Sequence, residues 1–146
     1  MTDRRKPASA EETYELDRQI GFLLRKANQR HVALFAKRIS DLTPPQFAAL
    51  AKLGKVGPTS QNQLGVMVAM DAATIKGVID RLNARGLVAL SPDSEDRRRI
   101  IVSLTEEGRA LVGGLLPAAA MITEETLAPI TGREAATLLR LLAKLT

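Results

Sequence analysis

The stretch from residue 86 to residue 108 constrains the fold of this chain most strongly. Two short apolar runs, at 87–90 and 100–104, flank turn-forming residues at 91–94. Short apolar runs on either side of such residues are typical of a β-hairpin with a long loop. Three successive arginines follow the tip, at 97–99. An isolated basic run more often belongs to a solvated loop, so the role of the hairpin depends on the elements that precede it.

Signals for the start of a helix precede the hairpin. T-P-P-Q at 43–46 and S-Q-N-Q at 60–63 have the pattern of capping boxes, in which the first and fourth side chains satisfy free amides of a helix start. Asp71 stands at the N-cap position of a third helix, which ends before Gly86. The sequence therefore predicts three successive helices, at 44–53, from the second box to about 68, and at 72–84.

This order of elements indicates a winged helix-turn-helix, in which the second helix of the pair enters the major groove of DNA and a hairpin wing flanks it. A generic small α+β core is the alternative, because short helices joined by tight turns are common. Small residues on the exposed face of the third helix allow close approach to bases, while Thr74 and Lys76 are able to contact base edges or phosphates. The candidate DNA contacts before the hairpin are Ser60, Gln61, Ala72, Ala73, Thr74, Lys76, Gly77 and Arg81.

Helical segments flank this region on both sides. Residues 11–39 contain no proline and carry apolar residues at helical spacing, which predicts one helix of about seven turns. Thr105 stands at the N-cap position of a helix that meets Pro117, and T-G-R-E at 131–134 begins a Leu-rich last helix. The first helix would be longer than the core of a domain of this size, and the last helices are Leu-rich and carry almost no net charge. We therefore expect both to contribute to a two-fold dimer interface.

The expected fold is mainly α with a small β-hairpin. It is a winged helix-turn-helix with long N- and C-terminal dimerisation helices. The predicted regions are a disordered basic arm at 1–10, a helical dimerisation region at 11–42 and 105–146, and a DNA-binding region at 43–104.

Composition narrows the function. The net charge of +5 favours nucleic acid as the partner, and the alternative is a basic dimeric module that binds protein or an anionic surface without specific DNA readout. The absence of cysteine excludes disulfides, thiol sensing and Cys-based zinc sites, and it fits a cytoplasmic protein. The chain has one histidine, no Gly-rich phosphate loop and no apolar run of about 20 residues. We therefore expect no enzyme activity, metal, cofactor or membrane partner.

The wing region carries two extended motifs, I-D-R-L-N-A-R-G-L-V at 79–88 and P-D-S-E-D-R-R-R-I-I-V-S-L-T-E-E-G at 92–108. They resemble the MarR family of winged-helix transcriptional regulators, whose wing signature contains D-R-R and L-T-x-x-G. The resemblance implies that Asp96 orients Arg98 and that Arg97 or Arg98 enters the minor groove. Arg99, the third arginine of the run, is a further candidate DNA contact. One departure is that residues 89–91 lack the arginines that members often carry there, so phosphate contacts from that strand are in doubt.

The same resemblance implies a homodimer on a palindromic operator, which represses nearby genes until a small molecule binds. Many members respond to phenolic or aromatic acids or their conjugates, including thioesters. An apolar pocket with a cation for the acid group is our hypothesis, and its candidate residues are Arg25, Arg30, His31, Phe35, Arg38, Phe47 and Leu50. Each has a plainer structural role as the alternative, since Phe35 and Phe47 suit the core and a single histidine on an apolar face is commonly a structural group.

Overall fold

The structure is a computed structural model and describes residues 13–146. A 3-10 turn at Leu16–Arg18 precedes six helices and three strands among these residues. Their order is α1 (Ile20–Arg38), α2 (Pro44–Val56), β1 (Thr59–Ser60), α3 (Gln61–Met67), α4 (Ala72–Ala84), β2 (Val88–Pro92), β3 (Ile100–Leu104), α5 (Glu106–Leu127) and α6 (Gly132–Lys144). Helices α2 to α4 and the strands form a winged helix-turn-helix, which confirms the predicted mainly helical fold with a small hairpin.

The strands form one antiparallel sheet in the order β1-β3-β2. Strand β2 pairs with β3 over its whole length, from Val88 opposite Leu104 to Pro92 opposite Ile100, which confirms the hairpin. Strand β1 adds a two-residue strand on the other side of β3. The sequence does not predict β1, because two residues are too few to show the alternation of a strand.

Helix α1 is shorter than predicted. It begins at Ile20 and spans 19 residues, about five turns, because Gln19 has extended backbone angles and no side chain caps the helix start. Tyr14 and Leu16 are exposed, so the residues before Gln19 have no apolar packing to stabilise a further helical turn. The prediction of one helix of seven turns is therefore wrong. Its first two residues, like the predicted basic arm at 1–10, lie outside the described residues.

Capping side chains begin the other helices where the sequence predicts. Thr43 and Gln46 form a reciprocal capping box at the start of α2, and Thr131 and Glu134 form another at the start of α6. Thr105 Oγ1 accepts from the amide of Gly108 at 3.0 Å. Capping of this kind depends only on residues within four positions of one another, so sequence reasoning finds it readily.

The second predicted capping box is only half formed. Ser60 Oγ accepts from the Gln63 amide at 3.2 Å, but the Gln63 side-chain oxygen accepts from the Thr59 hydroxyl instead of returning to the N-cap amide. Ser60 also belongs to β1, which pairs with β3. Helix α2, for its part, runs three residues beyond the predicted end, to Val56, and Gly57 ends it with φ +77°.

Helix α4 is held in place by a close approach to α3. A Cβ on Gly65 of α3 would lie 3.0 Å from Ile75 Cγ2 and 3.1 Å from the Met70 carbonyl oxygen. The turn between the helices contains Ala69 at φ +57°, a left-handed conformation that is uncommon for alanine. The helix-turn-helix angle therefore depends on the absence of a side chain at Gly65.

Helix α5 joins both ends of the molecule. Its start lies against the wing, because the Thr105 hydroxyl donates to the Gly86 carbonyl at 2.7 Å and the Thr105 amide donates to the Leu87 carbonyl at 3.2 Å. The helix continues through Pro117 and packs against α1 and α2. By length and composition alone α5 is able to cross a membrane, the one helix of the described chain that is. Its contacts at both ends are those of a connecting helix within the domain.

Helix α6 stands largely apart from the rest of the chain. It buries none of its residues, although it carries a leucine-rich face. Leu139 is 53% exposed, and Leu138, Leu141 and Leu145 are exposed as well. At the other end of the chain, Ile20, Leu23 and Leu24 of α1 are also exposed. These two apolar surfaces are unsatisfied in the single chain.

Candidate DNA interface and effector site

The outward face of α4 carries small residues at its centre. Its buried stripe contains Ile75, Val78, Ile79 and Leu82. Ala73 and Gly77 lie opposite that stripe, and a Cβ on Gly77 would meet no atom within 4 Å. The flanks are formed by Ala72 and Lys76 on one side and by Thr74 and Arg81 on the other. Because no large side chain projects from Ala73 or Gly77, the backbone of α4 is able to come close to another surface.

The start of α4 is fixed by Asp71. Its carboxylate accepts from the Thr74 amide at 2.7 Å. This hydrogen bond, together with one to the Thr74 side chain, lowers the pKa of Asp71 below its ordinary value, because it favours the charged form. The N-cap therefore sets where Thr74 lies on the outward face.

Lys76 and Asp80 form an ion pair along α4. The ammonium nitrogen lies 2.7 Å from the Asp80 carboxylate, and both side chains are more than half exposed. An exposed pair one helical turn apart contributes little to stability. Lys76 is therefore available to a phosphate or a base edge once it leaves Asp80.

The three wing arginines have different surroundings. Arg98 is 95% exposed, and its nearest charge is Asp96 at 3.9 Å, while the Asp96 carboxylate accepts from the Arg98 amide at 3.0 Å. Arg97 is also exposed. Arg99 points back toward the domain, with its guanidinium 3.9 Å from the Asp93 carboxylate and 3.5 Å from Ser60 Oγ. The tip therefore presents Arg97 and Arg98 outward, while Arg99 links the wing to β1.

A polar groove of about 130 Å³ lies between the wing and the start of α3. Ser60, Gln61, Asn62, Arg98, Arg99 and Ile100 line it. Ser60 is buried and Gln61 half-buried, so the structure brings these two predicted residues next to the wing arginines. Asn62 is exposed in the same groove and was missed by sequence reasoning. Its position two residues after the N-cap Ser60 is the signal that would have indicated it.

The predicted effector arginines lie against the C-terminal end of α5. Arg30 donates at 2.6 Å to the carbonyl oxygens of both Glu125 and Thr126. Arg38 Nε donates at 2.7 Å to the Glu125 carboxylate, and the same guanidinium contacts the sulfur of Met121 at 3.5 Å. Positive charge at this position also suits the negative end of the helix dipole. Nothing in the sequence pairs 30 or 38 with 125, because such contacts connect residues more than 80 positions apart.

The remaining candidate effector residues divide into two groups. His31 Nδ1 lies 2.9 Å from the Thr126 hydroxyl, beside the arginines. Phe35 and Phe47 meet edge to face with centroids 6.0 Å apart, and Leu50 is fully buried, so these three belong to the core beneath the cluster. Arg25 is exposed, and none of the described residues forms an ion pair with it. Arg30, His31 and Arg38 therefore form one cluster, which does not include Arg25.

A helix pair with a small outward face, followed by a hairpin with exposed arginines at its tip, defines a winged helix-turn-helix DNA-binding protein. The model of the MarR family matches residues 42–100. The chain is also 43% identical to the HTH-type transcriptional repressor NicR of Pseudomonas putida, over 99% of this chain and 95% of that protein. The chain therefore belongs to the MarR family and is a transcriptional regulator, as the wing motifs indicate.

Solved structures agree with this assignment. A probable transcriptional regulator from Pseudomonas aeruginosa is 55% identical and superposes with a TM-score of 0.87, covering 90% of this chain and all of that one. BpsR of Bordetella bronchiseptica, whose DNA binding is regulated by 6-hydroxynicotinic acid, is 43% identical with a TM-score of 0.87, covering 91% of this chain and 96% of that one.

Proposed function

We propose that this chain is a cytoplasmic, non-catalytic repressor that binds a palindromic operator as a homodimer and is released by a small aromatic acid. The first candidate effector is a hydroxylated pyridine carboxylic acid. The observation that carries the proposal is 43% identity to both NicR and BpsR over more than nine-tenths of this chain, which includes α1 and α5 as well as the DNA-binding elements.

The DNA contacts that we propose follow from exposure and charge. Helix α4 enters the major groove with the face that contains Ala72, Ala73, Thr74, Lys76, Gly77 and Arg81. Arg97 and Arg98 enter the minor groove, where the negative potential attracts guanidinium groups. Ser60 and Gln61 lie next to the wing and contact the backbone between the two grooves. Asp96 orients Arg98, which reduces the entropy that Arg98 loses on binding.

The proposed dimer covers the two exposed apolar surfaces of the chain. Helix α6 and the first turns of α1 both carry large apolar side chains that the single chain leaves open to water. Burial of such side chains stabilises an association by about 25 cal/mol per Å² of apolar surface. A two-fold arrangement places one winged helix-turn-helix on each half of a palindromic operator.

The effector mechanism that we propose is competition at the Arg30–His31–Arg38 cluster. A ligand carboxylate offers the same acceptor chemistry as the Glu125 carboxylate and the α5 carbonyl oxygens that now occupy the two guanidinium groups. Displacement of the end of α5 would move a continuous helix. Thr105, at the start of that helix, is hydrogen-bonded to Gly86 and Leu87, which lie just beyond the end of α4. Binding at the cluster is thereby coupled to the position of α4.

The experiment measures binding to a labelled promoter fragment from beside the protein's own gene, with and without 6-hydroxynicotinic acid. We expect specific binding, a footprint with two half-sites about one helical turn apart, and release by the acid but not by uncharged nicotinamide. Equal affinity for the promoter and for random DNA would reject the operator and favour the alternative, a basic module without specific readout.

Paired variants test the effector site. Arg38→Gln should raise the concentration of acid needed for release at least tenfold, because it removes one cation from the cluster. Arg25→Gln is the matched control, since Arg25 lies on the same helix, carries the same charge and does not belong to the cluster. If both variants respond like the wild type, the cluster is not the effector site, although operator binding itself would be unaffected.

A further inference from the structure

A second groove lies between α2 and α5, at the opposite end of α5 from the arginine cluster. Its volume is about 390 Å³, which falls within the range of roughly 300–1,000 Å³ for small-molecule sites. The lining residues are Ala51, Gly54 and Lys55 from α2 and Arg109, Val112, Gly113 and Leu116 from α5. Counted from the first lining residue of each helix, the others follow at i+3 and i+4, and on α5 also at i+7, so each set lies on one face.

The floor of this groove is apolar and unfilled. Gly113 has no side chain, and a Cβ built on it would meet no atom within 4 Å. Gly54 supplies a second open position on the facing helix, where a Cβ would only reach ordinary contact with Leu104. Leu116 is 53% exposed at one end. A molecule in the groove would therefore cover apolar surface that is now open to water.

The charges at the edge of the groove have one sign. Lys55 and Arg109 are both exposed, and neither side chain has an ion pair or hydrogen bond within residues 13–146. Arg38, Lys76 and Arg85 each face a carboxylate, whereas Lys55 and Arg109, like Arg25, face none in the described part of the chain. No acidic residue of the described chain belongs to the lining. The groove therefore combines an apolar slot with two cations that have no counterion.

We propose that this groove binds an aliphatic monocarboxylate. The hydrocarbon chain lies in the slot beside Gly54 and Gly113, and the carboxylate meets Lys55 and Arg109 at the edge. An aliphatic chain fits better than a ring system, because the lining contains small and aliphatic residues and no aromatic side chain. The site shares no residue with the Arg30–His31–Arg38 cluster, so this proposal and the proposed effector site stand or fall separately.

The first test measures binding of straight-chain carboxylates to the full-length protein by isothermal titration calorimetry. We expect octanoate to bind, with affinity that rises about fourfold for each methylene from hexanoate to octanoate, which is the factor given by roughly 0.8 kcal/mol per buried methylene. Octan-1-ol, which has the same chain without the charge, should bind at least tenfold more weakly. No octanoate binding at millimolar concentration, or equal binding of the alcohol, would overturn the proposal.

Matched substitutions locate the site. Gly113→Leu fills the slot, whereas Gly114→Leu places the same side chain at a neighbouring helical position that also has open space and does not line the groove. We expect the first variant to lose octanoate binding at least tenfold and the second to keep it, with circular dichroism confirming that both fold. Lys55→Gln should weaken octanoate binding severalfold and leave octanol binding unchanged. Wild-type affinity in Gly113→Leu would place the bound acid elsewhere and refute the assignment.

Discussion

The close contact between the start of α5 and Leu87, which precedes β2, gives the most specific prediction for stability. Gly108 is buried in the first turn of α5, and a Cβ built on it would overlap the carbonyl oxygen of Leu87. The same Cβ would lie 3.0 Å from the Leu87 carbonyl carbon and 3.3 Å from Leu104 Cδ2. Because most of these atoms are backbone, the overlap is not relieved by a side-chain rotation. Gly108→Ala must therefore move α5 away from Leu87.

The size of the effect follows from three contributions. Overpacking in a filled site costs about 1–3 kcal/mol. Moving the helix also strains the hydrogen bond from the Thr105 amide to the Leu87 carbonyl, which contributes about 1 kcal/mol. Replacing glycine by alanine within a helix stabilises the folded state by about 1 kcal/mol. The expected net loss in the free energy of unfolding is about 1–3 kcal/mol, and operator binding should weaken because α4 shifts with the helix.

Urea denaturation at one fixed protein concentration measures this loss, since the stability of an associating protein depends on concentration. Gly114→Ala is the control, because it lies in the same helix and its Cβ would enter open space. We expect this control to be stabilised by up to about 1 kcal/mol. If Gly108→Ala is as stable as Gly114→Ala, the close approach of α5 to Leu87 does not exist in solution and the reasoning fails.

Three further predictions concern the wing and the start of α4. Arg98→Ala should weaken operator binding and reduce the slope of log affinity against log salt concentration by about one, measured by fluorescence anisotropy, and an unchanged slope would exclude Arg98 as a phosphate contact. Arg99→Gln should weaken binding only about two- to fivefold with an unchanged slope, because Arg99 contacts Asp93 and Ser60; a lower slope would instead make it a direct DNA contact. The pKa of Asp71 is lowered in the folded protein, so its ionised carboxylate stabilises the folded state at pH values above its ordinary pKa of 3.8. This stabilisation is lost as the pH falls through the lowered pKa. Asp71→Asn should therefore flatten the acid-side dependence of unfolding free energy on pH, and identical acid titrations of the two proteins would contradict this.

The sequence predicts the DNA-binding elements well because their signals are local. Each cap, such as Thr43 with Gln46 or Asp71 with Thr74, involves residues within four positions, and the hairpin is flanked by turn residues. The family resemblance is also carried by contiguous motifs around the wing. The predicted start of α1 at residue 11 is wrong for the opposite reason, since the absence of proline allows a helix before Ile20 but Tyr14 and Leu16 are exposed and contribute no packing among the described residues.

The contacts between α1 and the end of α5 show what the sequence does not predict. The sequence predicts Arg25, Arg30 or Arg38 as the cation beside His31 and does not choose among them, because the partners Glu125 and Thr126 come from the far end of the chain. The different roles of the wing arginines are similarly invisible in the sequence. Arg98 and Arg99 are adjacent identical residues, and only the fold of the tip turns one outward and the other toward Ser60.

The open space at Gly77 has a consequence for how such regulators diverge. A Cβ introduced there would meet no atom within 4 Å beyond its own helix backbone, and alanine would favour the helix by about 1 kcal/mol. A single codon change from glycine to alanine would therefore alter the surface that we propose contacts DNA without a cost in folding. On the proposed mode of DNA binding, this is the position at which one substitution changes the contact surface at the least cost to folding, and it is the first to vary when engineering a new target sequence.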